Sequence, residues 1–287
     1  MSRRARLAHC TPVRLAYNRN GRLGLRFAVF SDVQANLPAL QSVLNDIEQI
    51  SPAVDAVVCA GDIVGVGPQP NEVIALLRAK DIPCVLGNYD DATVHDRIGS
   101  GVDFATLEAE EQDFVSLVWT RRALSEESRA FLLSLPRDLR LSPGGRGTNV
   151  RGTNQDEKTA EYRRMYFLRA LFGGLARTPV SFTKRVLVVH ATRRALNEVV
   201  KADTAASILA SVAREAEADL VISGHARSSF RRDAHNITFV GVGPVSGSTA
   251  QYAMLDVGQD VEVQFREVRY DVDAYQQAVD ARAVAPS

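Results

Sequence analysis

The fold is decided by residues 25–40, which read LRFAVFSDVQANLPAL. Leu25–Phe30 is an almost continuous apolar run that ends at Ser31-Asp32, which is typical of a strand buried on both faces. A helix is predicted to follow, because Asn36 is a favourable N-cap and Pro38 lies in the first turn, where its missing N–H is harmless. The stretch therefore predicts a strand, a polar turn and a helix.

The same order repeats along the next part of the chain. Asp55–Ala60 predicts a second strand ending at Gly61-Asp62, and Pro70–Lys80 predicts a second helix. Pro83–Leu86 predicts a third strand ending at Gly87-Asn88. A recurrent βαβ order indicates an α/β fold whose parallel strands carry functional loops at their C-terminal ends.

The next part of the chain is predicted to add strands to this sheet, and the tail is predicted to form short antiparallel strands instead of further βαβ units. The tail alternates as short strands, which predicts an antiparallel meander and two sheets in all. The predicted elements are a helical stretch 103–135 with a second helix start at Ser125, a strand 184–190, a helix 204–216, a strand 220–223, and the tail strands 237–240, 252–257 and 261–270.

Composition narrows the class of protein. The chain has 287 residues, of which 46% are hydrophobic and 24% charged, as in ordinary globular proteins. Its apolar runs are shorter than the roughly 18 residues of a membrane span, so an integral membrane protein is not expected. Three cysteines without a CxxC pair argue against a disulfide framework and favour a reducing cytoplasm as the compartment.

Charge and composition divide the chain into segments. Residues 1–26 contain seven arginines and no acid, so the remaining chain has 27 basic against 34 acidic residues. An acidic body does not suit a dedicated nucleic-acid binder. We expect residues 1–24 to be a basic, disordered extension, 25–270 to be one domain and 271–287 to be a tail. Residues 143–183 are expected to be a peripheral insertion, either a solvated loop with an amphipathic helix or a basic cap over an anionic substrate.

Polar residues terminate five of the predicted strands. Because the C-terminal ends of adjacent strands meet at one edge of a sheet, these side chains are expected to converge. Carboxylates and neutral histidines suit Mn, Fe, Zn or Ni, so the pattern predicts a divalent metal site. Its candidate ligands are Asp32, Asp62, Asn88, His190 and His225.

Five ordered motifs in this chain resemble those of the calcineurin-like metallophosphoesterases, in particular the small prokaryotic phosphodiesterase-type members. The resemblance covers roughly residues 25–271 apart from the insertion, and it implies a four-layer α/β/β/α sandwich of two mixed sheets flanked by helices. The motifs are FSDVQANLPAL (30–40), GDIVG (61–65), GNYD (87–90), VHA (189–191) and GHAR (224–227).

The resemblance also implies a mechanism, from which this chain departs. The family uses two metal ions bridged by an aspartate, and a metal-activated water attacks phosphorus in line. Here Gln34, Tyr89 and Arg227 stand where the family has histidines. The second-metal ligands are complete, whereas the first metal keeps Asp32 and the bridging Asp62 only.

These departures predict an altered site with one metal ion, although two are not excluded. We expect Arg227 to pair with Asp32 in place of the first ion, and Tyr89 to be a weaker proton donor than histidine. His95 is a candidate substitute donor or an ordinary surface histidine. The candidate catalytic residues are Asp32, Asp62, Asn88, Tyr89 and Arg227.

Two functions remain open on this evidence. The first is a metal-dependent phosphoesterase that hydrolyses a phosphomonoester or phosphodiester. The second is a catalytically weak or inactive relative that binds a phosphate-bearing ligand or a protein partner. The expected partner is a phosphate ester rather than a nucleic acid or a membrane, and the sequence does not indicate an oligomeric state.

Overall fold

The computed structural model of the chain describes residues 24–141 and 184–284. Its elements, numbered in chain order, are β1 Leu25–Phe30, α1 Leu37–Glu48, β2 Ala56–Cys59, α2 Pro70–Ala79, α3 Asn88–Val94, α4 Leu107–Ala123, α5 Glu126–Leu133, β3 Asp138–Leu141, β4 Val186–Val189, α6 Ala206–Ala216, β5 Leu220–Ser223, β6 Phe230–Ala234, β7 Ile237–Gly241, β8 Ala250–Val257, β9 Val261–Val268 and α7 Val272–Val284.

The described strands form two mixed sheets. The four-stranded sheet has the order β2-β1-β8-β9, and the five-stranded sheet has the order β3-β4-β5-β7-β6. The parallel neighbours are β1 with β2, β4 with β5, and β5 with β7, while the other pairs are antiparallel. The C-terminal ends of β1, β2, β4 and β5 therefore carry four of the five predicted ligands, and the fifth, Asn88, is the first residue of α3.

Alternation along β1 shows how the layers are built. Phe27 and Val29 pack between the two sheets with Val188 of β4. Their neighbour Phe30 points the other way and packs with Leu40 of α1. A third apolar cluster joins α6 to the outer face of the five-stranded sheet. The order of layers is thus helix, sheet, sheet, helix, which confirms the predicted α/β/β/α sandwich.

Two predicted helix starts are confirmed in atomic detail. The Asn36 side chain accepts a hydrogen bond from the backbone N–H of Ala39 at 3.1 Å, so Asn36 is the N-cap of α1. Ser125 caps α5 in the same way, because its Oγ accepts from the N–H of Ser128 at 3.1 Å. Each cap satisfies a backbone donor that the first turn of a helix leaves free.

Other predicted elements differ from the structure. The expected strand Pro83–Leu86 is reduced to an isolated bridge between Cys59 and Cys84. The predicted single meander is wrong, because β7 lies in the five-stranded sheet while β8 and β9 lie in the other. Strand β6 was not predicted, since three of its five residues are charged on an edge strand.

The helical stretch predicted over 103–135, with its second start at Ser125, is present as α4 and α5. The short helix α3, which precedes them at the site, was not predicted. The tail predicted from residue 271 contains α7, in which the Arg282 guanidinium lies 4.1 Å from the centroid of the Trp119 ring. The predictions for residues 1–23 and for the insertion 143–183 lie outside the described residues. Within the described ranges, we find no helix with the length and apolar character needed to cross a membrane.

Candidate metal centre

Three predicted ligands meet where the strands end. Asp32 follows β1, Asp62 follows β2 and His190 follows β4. One side-chain ligand atom from each of these residues lies within 4.8 Å of the others, and all three residues are buried. Buried carboxylates are costly unless they are paired or bind a cation, so this placement is typical of a metal site.

His190 is the most enclosed member of the site. Its Nδ1 lies 2.8 Å from the carbonyl oxygen of Ala60, and its Nε2 lies 2.9 Å from Oδ1 of Asn88 and 3.5 Å from Oδ1 of Asp62. Burial by itself lowers the pKa of His190, but the carboxylates of Asp62 and Asp32 and the Ala60 carbonyl raise it on balance. The ring is therefore fixed by contacts on both of its nitrogens.

Asn88 is oriented by residues that the sequence analysis did not single out. Its Nδ2 donates to the backbone carbonyl of Ser100 at 2.9 Å, and Ser100 Oγ donates to Asp113 Oδ2 at the same distance. Asp113 is buried on α4. Since the amide nitrogen is engaged, the amide oxygen of Asn88 is the atom that faces His190. Outer contacts of this kind orient metal ligands in proteins.

His225, the remaining predicted ligand, lies beside this group, but it is not among the residues whose ligand atoms lie within 4.8 Å of one another. Its backbone N–H donates to Oδ2 of Asp32 at 3.1 Å, and its ring centroid lies 5.1 Å from that of His190. Burial lowers the pKa of His225 to about 4, and the positive charges of His190 and Arg227 act in the same direction. The imidazole is therefore neutral at pH 7, which is the form that binds metal ions.

Two buried aspartates line the loop before α3. Burial raises the pKa of Asp62, and its Oδ1 accepts from the N–H of Tyr89 at 2.9 Å. Asp90 is also buried, and its carboxylate accepts from the N–H groups of Val64 and Gly87 at 3.0 and 2.9 Å. Asp90 was missed as a supporting residue, although its position three residues after the helix-capping Gly87 is a capping signal in the sequence.

The backbone of the site is strained at several non-glycine residues. The φ angles of Asp32, Gln34, Asp62, His225 and Arg227 lie between 47° and 54°, in the left-handed region. Side chains other than glycine rarely adopt this conformation, and such residues cluster at functional sites. The turns after β1, β2 and β5 thus hold these five side chains in positions that an extended chain would not give.

Two glycines permit the close approach of the loops. A Cβ on Gly224 would lie 1.8 Å from Oγ of Ser31, and a Cβ on Gly87 would lie 2.2 Å from Oδ1 of Asp62. Neither distance is compatible with a side chain. Both positions therefore need glycine so that the loops can enclose the aspartates.

Arg227 does not make the predicted ion pair. Its Nη2 donates to Oε1 of Gln34 at 3.0 Å and to Oγ of Ser246 at 2.9 Å. Among the ion pairs of the described residues, we find none between Arg227 and Asp32. The expected pairing is therefore wrong in the structure, because the neutral oxygens of Gln34 and Ser246 hold the guanidinium instead.

Tyr89 and His95 lie differently from a phosphate-facing histidine. The buried ring of Tyr89 packs with Ala92 and Leu117, and its backbone N–H donates to Oδ1 of Asp62. His95 Nδ1 lies 3.1 Å from the carboxylate of Asp91, and about half of the His95 side chain is exposed. The role of Tyr89 as a proton donor stays a prediction, and the contacts of His95 fit an ordinary surface histidine.

The donor set fits a divalent transition metal. It combines two carboxylates, an amide oxygen and imidazole nitrogens, which suits Mn, Fe, Ni or Zn. Nε2 of His190 and Oδ1 of Asn88, both potential ligand atoms, face each other at 2.9 Å beside the carboxylate of Asp62. A cation held between these atoms would offset the charge of the buried aspartates.

The fold and this centre define a metallophosphoesterase. The family model of the calcineurin-like phosphoesterases matches residues 25–226, and the chain belongs to this family. The family is divalent-metal dependent, which agrees with the donor set of the centre.

Individual relatives agree with this assignment at the level of the fold. The chain is similar to a metallophosphoesterase from Sphaerobacter thermophilus, with 22% identity, a TM-score of 0.56, and coverage of 91% of this chain and 95% of that one. It is also similar to hypothetical protein PH1004 from Pyrococcus horikoshii, with 18% identity, a TM-score of 0.65, and coverage of 91% and 94%. Uncharacterized protein MJ0912 from Methanocaldococcus jannaschii is 35% identical over 115 residues, which span 38% of this chain and 41% of that relative.

Proposed function

We propose that this chain hydrolyses phosphate esters at an altered centre that holds a single divalent ion. The observation that carries the proposal is the buried convergence of Asp32, Asp62 and His190, whose ligand atoms lie within 4.8 Å of one another. Asn88 and His225 complete the set of residues that would hold the ion. Single occupancy is favoured because Gln34 and Arg227 contact each other where the family has first-metal histidines.

The ion would supply a Lewis acid for a phosphoryl oxygen and would lower the pKa of a water molecule. Hydrogen bonds within the chain fix the positions of the residues that would hold the ion. Asp62 is held by the N–H of Tyr89, and the Asn88 amide is held by the Ser100 carbonyl. Arg227 adds a permanent positive charge on the Asp32 side of the site, because the guanidinium does not titrate in proteins.

Metal analysis combined with an activity assay tests the proposal. The purified full-length chain is loaded separately with Mn, Fe, Ni or Zn, and it is assayed on a chromogenic phosphodiester and on the matching monoester. We expect about one ion per chain and hydrolysis that a chelator abolishes. Two ions at full occupancy would contradict the single-ion site.

A matched pair of histidine variants assigns the activity to this centre. His225→Ala removes a proposed ligand, and it should weaken metal binding by roughly tenfold or more. His235→Ala removes a histidine from the exposed turn between β6 and β7, and it should leave metal content and hydrolysis unchanged. Equal behaviour of the two variants would place the metal elsewhere.

A second candidate function is a weakly active or inactive member that binds a phosphate-bearing ligand. It is favoured by the packing of the Tyr89 ring against Ala92 and Leu117, which leaves the site without the family's histidine as a proton donor. This alternative predicts metal and ligand binding without turnover of either chromogenic ester under any of the metals.

A further inference from the structure

Arg227 belongs to a small group of side chains beside the metal centre, here named the guanidinium cluster and defined as Arg227, Gln34 and Ser246. The Nη2 atom of Arg227 donates to Gln34 Oε1 at 3.0 Å and to Ser246 Oγ at 2.9 Å. Gln34 is 3% exposed, whereas Arg227 is exposed to solvent. The cluster therefore has a buried anchor and an open face.

Gln34 and Ser246, which anchor the guanidinium, are each hydrogen-bonded to the backbone of an aspartate of the metal centre. The N–H of Ser246 donates to the carbonyl of Asp32 at 3.0 Å, and the N–H of Gln34 donates to the carbonyl of Asp62 at the same distance. Gly65 packs against Gln34 so closely that a Cβ there would lie 3.0 Å from the Gln34 side chain. The position of the guanidinium is therefore set by the same turns that position the candidate ligands.

The hydrogen-bonded partners of Arg227 are neutral, although its charge also acts to lower the pKa of the nearby Asp62, which burial raises on balance. Gln34 and Ser246 offer neutral oxygens, whereas Arg193 pairs with Asp138 at 3.3 Å and Arg194 pairs with Glu198. Among the described residues, the hydrogen bonds of the Arg227 guanidinium involve Nη2 alone, so Nε and Nη1 keep their three N–H donors. A cation whose hydrogen-bonded anchors are neutral suits the binding of an anion.

We propose that the guanidinium cluster is a phosphoryl-oxyanion clamp, in which Arg227 binds the phosphate group of the ester and does so in the absence of a metal ion. The identification of the ligand as a phosphate ester rests on the proposed function. The clamp itself rests on the contacts of Arg227.

The chemistry of the guanidinium fits this role. Hydrogen bonds from a guanidinium to a phosphate oxygen are charge-assisted, and they are stronger than neutral hydrogen bonds. Nη2 is held by Gln34 and Ser246. Both bidentate edges of the guanidinium include Nη2, so the N–H groups of Nη1 and Nε are left to meet an anion singly. Little side-chain freedom then has to be lost when the anion binds.

Isothermal titration calorimetry on the metal-free protein tests the clamp. The full-length chain is treated with a chelator, dialysed and titrated with inorganic phosphate. We expect Arg227→Gln to weaken phosphate binding about tenfold to hundredfold, and Arg227→Lys to recover only part of it because a lysine ammonium cannot keep the anchored position of the guanidinium. Arg214→Gln removes the same charge from the exposed side of α6 and is the matched control, with no expected change.

A milder variant covers the case in which Arg227→Gln does not fold. Ser246→Ala keeps the charge and removes one anchor, so we expect a several-fold weakening of phosphate binding. Circular dichroism establishes that each variant is folded. The clamp is overturned if the metal-free wild type does not bind phosphate, or if Arg227→Gln binds as well as wild type does.

The experiments distinguish failure of the clamp from failure of the proposed phosphoesterase function. Loss of phosphate binding in Arg227→Gln, with no hydrolysis by any metal-loaded form, supports the clamp and contradicts the phosphoesterase. Hydrolysis by the loaded wild type, with phosphate binding unchanged in Arg227→Gln, supports the phosphoesterase and overturns the clamp.

Discussion

Asp62→Asn should make the metal-free protein more stable and remove its response to metal ions. Asp62 and Asp32 are both buried and share one buried imidazole, that of His190. Without a metal ion, one of the two carboxylates is surplus. The amide oxygen introduced by the substitution can still accept from the Tyr89 N–H, whose hydrogen bond to the Asp62 carboxylate is 2.9 Å long, and Asp32 remains to balance His190.

The magnitude follows from the cost of burying this carboxyl group. Burial raises the pKa of Asp62, and the charge of Asp32 acts in the same direction. Each unit by which a folded-state pKa exceeds the unfolded value costs about 1.4 kcal/mol of stability above both values. We therefore expect Asp62→Asn to gain about 1–3 kcal/mol at pH 7. The gain should fade as the pH falls from the raised folded-state pKa towards the unfolded value, below which the carboxyl group is neutral in both states.

Urea denaturation with and without Mn²⁺ measures both effects. A metal ion at a concentration of about 100 Kd should stabilise the wild-type chain by about 2.7 kcal/mol, whereas Asp62→Asn should show no such increase. Asp138→Asn is the matched control, because Asp138 is also buried but pairs with Arg193 at 3.3 Å. That variant should lose stability and keep its response to metal.

Two results would refute this reasoning. If metal-free Asp62→Asn is less stable than wild type, the two carboxylates do not compete for His190. If the variant keeps the full stabilisation by Mn²⁺, Asp62 is not a ligand. The first result concerns the electrostatics of the metal-free centre and the second concerns its chemistry, so they can be distinguished in one set of denaturation curves.

Three further predictions concern the ligand set and the frame around it. Gln34→His combined with Arg227→His restores the family's ligand types, so elemental analysis should find a second ion per chain; unchanged metal content would show that the site cannot accept one. Asp113→Ala releases the segment that holds the Asn88 amide, and titration with Mn²⁺ should show about tenfold weaker binding in a folded protein. Tyr252→Phe removes a 2.5 Å hydrogen bond to Asp46 and should cost about 1 kcal/mol in urea denaturation. Burial tends to raise the pKa of Asp46, but hydrogen bonds from Tyr252 and an arginine lower it on balance, so the Tyr252→Phe deficit should shrink as the pH falls below about 4.

Local signals account for much of the fold. The apolar run of β1 and the Asn36 cap are short-range features, and both appear in the structure. The division of the tail between two sheets depends on pairing between distant segments, for example Ala28 with Met254. Periodicity within a segment carries no information about which sheet it joins, so the prediction of a single meander was wrong for a physical reason.

The sequence located the main residues of the candidate site but not the contacts that support them. Strand ends located Asp32, Asp62 and His190, because the parallel order of the strands brings their C-terminal ends together. The supporting contacts of Asp113 and Asn197 were not predictable. Asp113 reaches the site through Ser100, and the Asn197 carbonyl lies within hydrogen-bonding reach of His225 only after the loops have folded.

The contact between Gln34 and Arg227 bears on whether the first-metal ligands were replaced together by a new interaction or were lost independently. The family resemblance implies histidines at the positions of Gln34, Tyr89 and Arg227, and two of these three residues meet in the folded chain as an acceptor and a donor 3.0 Å apart. Unrelated losses give no physical reason for a matched pair, nor for a glycine at residue 65 that leaves room for the Gln34 side chain. The Tyr89 ring instead packs with Ala92 and Leu117. Under the proposed function, the first-metal side of the site is built around a fixed positive charge, and the position of Tyr89 serves packing; the double histidine variant described above tests the first of these two inferences.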